Sequence, residues 1–87
     1  MPNDTTAIKF YGTSWCYETR KSRRVFTELG VDYDYIDIDK DSDGRRFVES
    51  VNHGYRSVPT ILFPDGSTLV EPSAQILREK LLPYQRN

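Results

Sequence analysis

The sequence predicts a small α/β domain with the element order β-α-β-α-β-β-α, in which a four-stranded mixed sheet is flanked by three helices. Three observations lead to this prediction. Two β-branched and aromatic runs, residues 7–12 and 32–39, are separated by a stretch whose apolar residues recur at helical spacing. The runs "VPTILF" and "TLV" flank the turn "PDGS", a pattern typical of a β-hairpin. A further helical pattern follows the hairpin.

The first half of the chain predicts a parallel β-α-β unit. The run "AIKFYG" (residues 7–12) indicates a buried strand. The helix after it should run from about Ser14 to Leu29, with Gly30 as its C-cap. The inward stripe of this helix consists of Ser22, Val25, Phe26 and Leu29. In "DYDYIDID" (residues 32–39) one face should carry Tyr33 and Tyr35, and the other Ile36 and Ile38.

The second half predicts two helices around the hairpin. One should span about Ser42 to Asn52 and end at Gly54, with an apolar stripe of Phe47, Val48 and Val51. The last helix should begin after the N-cap Ser73 and end near Pro83. Its inward residues are expected to be Ile76, Leu77 and Leu81.

Length, charge and cysteine content limit the classes of function. The 87 residues, with 37% hydrophobic and 29% charged side chains, fit a single domain with an ordered core over about residues 7–82 and a polar, frayed start at residues 1–5. A net charge of −1 does not favour nucleic acid, and no apolar run is long enough to span a bilayer. The N-terminus lacks the features of a secretory signal, and a lone cysteine fits a reducing compartment. We therefore expect a cytoplasmic monomer.

Cys16, the only cysteine, is expected at the start of the first helix. Unpaired N–H groups and the positive end of the helix dipole stabilise a thiolate there, and Arg20 adds positive charge, so the sequence predicts a lowered thiol pKa. The hydroxyl of Thr19 is placed to donate a hydrogen bond to the sulfur, whereas Glu18 opposes the effect. The alternative is that Cys16 is a small, inert, buried residue.

Pro59 is the second notable feature, because it stands directly before an apolar strand. Proline cannot donate a ladder hydrogen bond, so it marks a strand start or an edge. A cis bond between Val58 and Pro59 would make a sharp, fixed turn; an ordinary trans proline at a strand entry is the alternative.

Taken together, these features resemble the glutaredoxin branch of the thioredoxin fold, most closely the mycoredoxin type. The resemblance covers roughly residues 7–82 and rests on "TSWC" (13–16), "FVESVN" (47–52), "RSVPT" (56–60) and "DGSTLVEPSA" (65–74) in this order. It implies a thiol–disulfide oxidoreductase that reduces mixed disulfides between proteins and a low-molecular-weight thiol. Glutathione or mycothiol would be the co-substrate, with no permanently bound cofactor.

The resemblance also assigns roles to individual residues. Cys16 would be the nucleophile and Pro59 the cis-proline, while the backbone of Val58 would pair with the bound thiol. Arg56 would reach a carboxylate of that thiol, and Ser73 would lie at a second carboxylate site at the start of the last helix. Trp15 adjoins Cys16 and is therefore expected to line the groove that binds the small thiol. Tyr11 could lie in that groove or in the core.

The chain departs from the family pattern at two positions. Thr19 replaces the second cysteine of the dithiol motif, and "CYET" also differs from the Cys-Gly-Phe-Ser of the monothiol members that carry iron–sulfur clusters. Val70-Glu71 replaces the common Gly-Gly, so that Glu71 could repel an anionic thiol. Two alternatives therefore stay open, namely a monothiol-type iron–sulfur carrier and a redox-inactive binding module.

No metal site is expected from the sequence. "DKDSDG" (residues 39–44) resembles the start of a calcium loop, but Ser50 stands where the bidentate glutamate belongs, so these aspartates are expected to cap the second helix. His53 is the only histidine, and with one cysteine it cannot form an intrachain zinc site on those ligands. We expect it at the C-terminus of the second helix.

Overall fold

The computed structural model describes residues 7–85. The elements follow the predicted order and are β1 (Lys9–Gly12), α1 (Tyr17–Leu29), β2 (Asp34–Asp37), α2 (Ser42–Val51), β3 (Thr60–Leu62), β4 (Thr68–Val70) and α3 (Ala74–Leu81). A short 3-10 turn, Leu82–Tyr84, contains Pro83 and follows α3. The frayed start expected for residues 1–5 lies outside the described residues.

The four strands form one mixed sheet in the order β2-β1-β3-β4. β1 is parallel to β2 and antiparallel to β3, and β3 is antiparallel to β4. The central strand β1 therefore has hydrogen-bonded neighbours on both sides, and its C-terminal end leads directly into the segment that carries Cys16.

The sheet has an apolar cluster on each face because neighbouring residues of a strand point to opposite sides. The larger cluster joins α1 and α3 to the sheet and includes Phe10, Phe26, Ile61, Leu77 and Leu81. The smaller cluster joins α2 to the other face and includes Tyr11, Ile38 and Val48. Tyr33 and Tyr35 pack against the larger cluster and Ile36 against the smaller one, as the sequence predicts.

The start of α1 differs from the prediction. The helix begins at Tyr17, about three residues after the expected Ser14, because Cys16 has an extended backbone (φ −84°, ψ 129°) and acts as the N-cap. The Cys16 N–H donates to the carbonyl of Thr13, at an N–O distance of 3.2 Å, which closes a turn before the helix. Gly30 ends α1 in the left-handed conformation, as predicted.

The ends of α2 and α3 agree with the prediction, and one expected core residue of α3 does not. Ser73 caps α3 by accepting a hydrogen bond from the Ile76 N–H, as predicted. The side chain of Ile76 is 52% exposed, so its expected inward position is wrong, whereas Leu77 and Leu81 are buried in the core as predicted. α2 ends at Val51, within one residue of the predicted Asn52, and Gly54 closes it as predicted, with a φ of 93° and its N–H donated to the Glu49 carbonyl at 2.7 Å.

Candidate functional site

Cys16 is a free, half-buried thiol at the N-terminus of α1. Its carbonyl accepts the N–H of Arg20 at 3.1 Å, and so it starts the helical hydrogen-bond ladder. The first N–H groups of a helix have no partner within the helix and carry the positive end of its dipole. Cys16 is therefore at the end of α1 that carries unpaired N–H groups, and its partial exposure lets a disulfide approach from solvent.

The Val58-Pro59 turn lies beside the segment that carries Cys16. The peptide bond between the two residues is cis. In the antiparallel register Tyr11 is opposite Thr60, so continuing one residue places Pro59 level with Gly12, at the end of β1. Pro59 is buried, while Val58 is half-exposed and forms no backbone hydrogen bond within residues 7–85. An extended ligand could pair with the open N–H and C=O of Val58.

A hydrogen-bond chain holds this turn from the side of α2. The Thr60 hydroxyl donates to the Ser57 carbonyl at 2.7 Å. The side-chain amide of Asn52 donates both to that hydroxyl, at 3.2 Å, and to the Val48 carbonyl, at 2.8 Å. Asn52 and Thr60 end the stretches "FVESVN" and "RSVPT", but the sequence predicted no role for either residue, because neither stretch reveals which groups their side chains contact.

Arg20 contacts the segment before the helix through specific hydrogen bonds. Its Nη1 donates to the Trp15 carbonyl at 2.9 Å and to the Ser14 carbonyl at 3.3 Å. From the sequence, Arg20 was expected to add positive charge beside Cys16 and to contact the small thiol. The structure adds a positioning role, since the guanidinium holds the two residues that precede Cys16.

Thr19 lies beneath the same segment and is fully buried. Its hydroxyl accepts the N–H of Thr13 at 3.3 Å. Within the described residues it forms no hydrogen bond to the Cys16 sulfur, in contrast to the expectation from sequence. A Cβ atom added at Gly12 would lie 2.8 Å from the Thr19 methyl carbon, so Gly12 and Thr19 pack in close contact.

The two aromatic candidates have different environments. Trp15 is 70% exposed, and its indole N–H donates to the carboxylate of Asp39 at 2.8 Å, so it is outside the core and next to Cys16. Tyr11 is buried and stacks on Phe47 with ring centroids 4.7 Å apart. Burial, and secondly the charge of Asp41, raises the pKa of Tyr11, so its phenol stays protonated at neutral pH.

The two residues expected to contact carboxylates already have partners in this structure. The Arg56 side chain donates from Nε to the Glu49 carboxylate at 2.8 Å. The Ser73 hydroxyl accepts the Ile76 N–H at 3.1 Å. An incoming carboxylate would have to compete with Glu49 for Arg56, and at Ser73 it would meet a hydroxyl that is used as a helix cap.

The acidic segment before α2 has a structural role. Asp41 caps the helix by accepting the Gly44 N–H at 2.9 Å, as predicted for these aspartates. His53 is exposed and follows the end of α2.

In the described range, residues 7–85, no three His, Cys, Asp or Glu side chains are grouped so that they could hold a metal ion. Across the same range no helix has the length and apolar character needed to cross a membrane.

This fold and site match known proteins along most of the chain. The glutaredoxin family model matches residues 8–67. A glutaredoxin homologue from Mycobacterium tuberculosis is 42% identical over 78 residues, which cover 90% of this chain and 93% of the relative. Mycoredoxin 1 of Corynebacterium glutamicum is 37% identical over 67 residues, covering 77% and 82%.

A solved structure supports the same assignment. The glutaredoxin from Archaeoglobus fulgidus matches with a TM-score of 0.71 and 25% identity, over 88% of this chain and 87% of that one. The predicted four-stranded, thioredoxin-like architecture is therefore confirmed. With the sequence match, the cysteine at the helix start and the cis-proline turn in agreement, the chain belongs to the glutaredoxin family.

Proposed function

We propose that this protein is a monothiol oxidoreductase that uses Cys16 to reduce mixed disulfides between proteins and a low-molecular-weight thiol, either glutathione or mycothiol. The observation that carries the proposal is the half-buried thiol of Cys16 at the start of α1, close to a cis-proline turn with open backbone groups. Family membership supports the reaction type, and the likeness to mycoredoxin 1 favours mycothiol as the co-substrate.

The cycle needs one protein sulfur and two exchange steps. In the first step the Cys16 thiolate attacks the small-thiol sulfur of the mixed disulfide. A new disulfide bond forms, the old one breaks, and the target protein leaves as a thiolate with the bonding electron pair. In the second step a free small thiolate attacks the same small-thiol sulfur of the Cys16 adduct. This releases a symmetric small disulfide and restores the Cys16 thiolate, so the small thiol supplies both electrons.

Other residues around Cys16 would bind and orient the small thiol. The N–H and C=O of Val58 pair with its extended backbone, and buried Pro59 fixes their direction. Arg56 and Ser73 lie at the polar end of the ligand, and Trp15 and the C-terminal end of β1 at Tyr11 border it. Arg20 and Thr19 position the Cys16 segment. The protein acts as a monomer in the reducing cytoplasm, which suits a lone thiol.

Mass spectrometry tests this function directly. We expect the reduced protein, incubated with oxidised glutathione or mycothiol disulfide, to gain the mass of one thiol at Cys16. Addition of the free small thiol should then remove this adduct. With a thiolated protein as substrate, the same two steps should give catalytic turnover. The Cys16→Ser variant, which has no sulfhydryl, is the matched control. If no adduct forms on wild-type protein with either disulfide, the proposal fails.

The similar proteins do not favour the two alternatives, an iron–sulfur carrier and an inert module. Anaerobic reconstitution with iron and sulfide in the presence of the small thiol distinguishes an iron–sulfur carrier from an exchange enzyme. The oxidoreductase is expected to stay colourless, whereas a visible absorption band that is absent in Cys16→Ser would indicate a cluster carrier.

A further inference from the structure

An acidic residue, Glu71, adjoins the turn that would bind the small thiol. Thr60 of β3 is opposite Val70 of β4, and the next residue, Glu71, donates its N–H to the Pro59 carbonyl at 2.9 Å. Neighbouring strands are roughly 5 Å apart, so the backbone of Glu71 is in direct contact with the Val58-Pro59 turn. The side chain of Glu71 is exposed and forms no ion pair within residues 7–85.

Of the two nearby cations, Arg56 is offset by a carboxylate of the described residues and Arg20 is not. Arg56 is paired with Glu49 at 2.8 Å, and Arg20 donates to two carbonyls of the Cys16 segment. A further carboxylate, Asp39, accepts the indole N–H of Trp15, the residue before Cys16. Among residues 7–85 neither Glu71 nor Asp39 forms an ion pair, so these two carboxylates outnumber the one unpaired cation, Arg20.

We propose that Glu71 is a specificity-determining residue that disfavours small thiols with carboxylate groups. The site would then accept thiols without carboxylates, uncharged or cationic, in preference to anionic ones. This inference rests on the proposed exchange function of Cys16 and names the charge class of its co-substrate.

Coulomb's law gives the order of magnitude of the expected effect. Two unit negative charges about 7 Å apart in water repel enough to change a rate or a binding constant by roughly threefold. Because the carboxylate of Glu71 is exposed, salt should screen the repulsion, with a screening length of about 8 Å at physiological ionic strength. A charge effect can thus be separated from a steric one by its salt dependence.

The test compares variants against three symmetric disulfides: oxidised glutathione, bis(2-hydroxyethyl) disulfide and cystamine, which are anionic, uncharged and cationic. In each reaction the Cys16 thiolate forms a new disulfide bond with one sulfur while the other half leaves as a thiolate. At low ionic strength we expect Glu71→Gln to react about threefold faster with oxidised glutathione, at an unchanged rate with the uncharged disulfide, and more slowly with cystamine. High salt should remove these differences.

Two further variants keep the test decisive. Glu79→Gln removes an exposed carboxylate of α3 and should leave all three rates unchanged. Glu71→Asn suits the positive φ of 48° at this position and should reproduce Glu71→Gln if the charge is responsible. Equal effects of Glu71→Gln on all three disulfides would overturn the inference but leave the exchange function intact. An absence of adducts with every disulfide would overturn both.

Discussion

At the scale of single residues, Arg20 illustrates how a charged side chain near a thiol can act through geometry. Its guanidinium donates to the carbonyls of Ser14 and Trp15, and these residues set the direction in which the chain enters α1 at Cys16. A lysine at this position would carry the same charge, but its ammonium group lacks the planar donor arrangement of arginine. The two contributions of Arg20, charge and positioning, can therefore be separated by substitution.

We expect Arg20→Lys to slow adduct formation at Cys16 two- to fivefold and to lower the free energy of unfolding by about 1 kcal/mol, because hydrogen bonds to the Cys16 segment are lost. Stopped-flow or quenched mass measurements give the rate, and urea unfolding gives the stability. Arg24→Lys, an exposed substitution on the same helix, is the control and should change neither value. Wild-type behaviour of Arg20→Lys would show that only the charge of Arg20 matters.

At the scale of elements, the turn between β3 and β4 is fixed by one carboxylate. An oxygen of Asp65 accepts the Ser67 hydroxyl at 2.6 Å and the Ser67 N–H at 2.9 Å, and Gly66 takes a φ of 90° that favours glycine. These hydrogen bonds, led by that of the Ser67 hydroxyl, hold the pKa of Asp65 below its usual value of 3.8. The ionised carboxylate is therefore the form that the folded hairpin prefers.

This preference gives a pH dependence with a definite sign. A carboxyl whose pKa is lower in the folded than in the unfolded chain stabilises the fold fully above pH 3.8, and the contribution is lost as the pH falls through the folded value. We expect the difference in melting temperature between wild type and Asp65→Asn to shrink from pH 6 to pH 2, since asparagine keeps the acceptor but not the charge. Thermal unfolding followed by circular dichroism measures it. The same change at the exposed Asp34 is the control, and an equal pH profile for both variants would contradict the prediction.

Elements with strong local signals were predictable from the sequence, and those that depend on distant partners were not. Asp65-Gly66, Gly30 and Ser73 act within a few residues of themselves, and the structure places each as predicted. The predicted start of α1 was wrong because a turn from Thr13 to Cys16 takes the place of helix over the same residues. The partners of Trp15 and Arg56 depend on how α1, β2 and α2 pack, which no short motif encodes.

At the scale of the whole molecule, the sheet connects α2 on one face to the proposed thiol site at the end of β1. The carboxyl end of α2 and the start of β3 are linked through Asn52, whose amide donates to the Val48 carbonyl and to Thr60. Thr60 in turn holds the carbonyl of Ser57, one residue before the cis-proline turn. The direction of the open backbone groups of Val58 thus depends on hydrogen bonds that reach the turn from the end of α2.

Replacing Asn52 by aspartate tests this dependence, because the shape is kept while both donated hydrogen bonds are lost. The new carboxylate would also face the Val48 carbonyl at the negative end of the α2 dipole. We expect Asn52→Asp to lower the free energy of unfolding by about 1–3 kcal/mol. Below its melting temperature it should raise the KM for the small thiol severalfold with a smaller effect on kcat, because the Val58 turn is less well oriented for binding. Ser50→Ala, which removes only a local hydrogen bond to the Phe47 carbonyl, should leave KM unchanged. If Asn52→Asp loses stability but keeps the wild-type KM, the chain through Thr60 supports the fold without orienting the thiol.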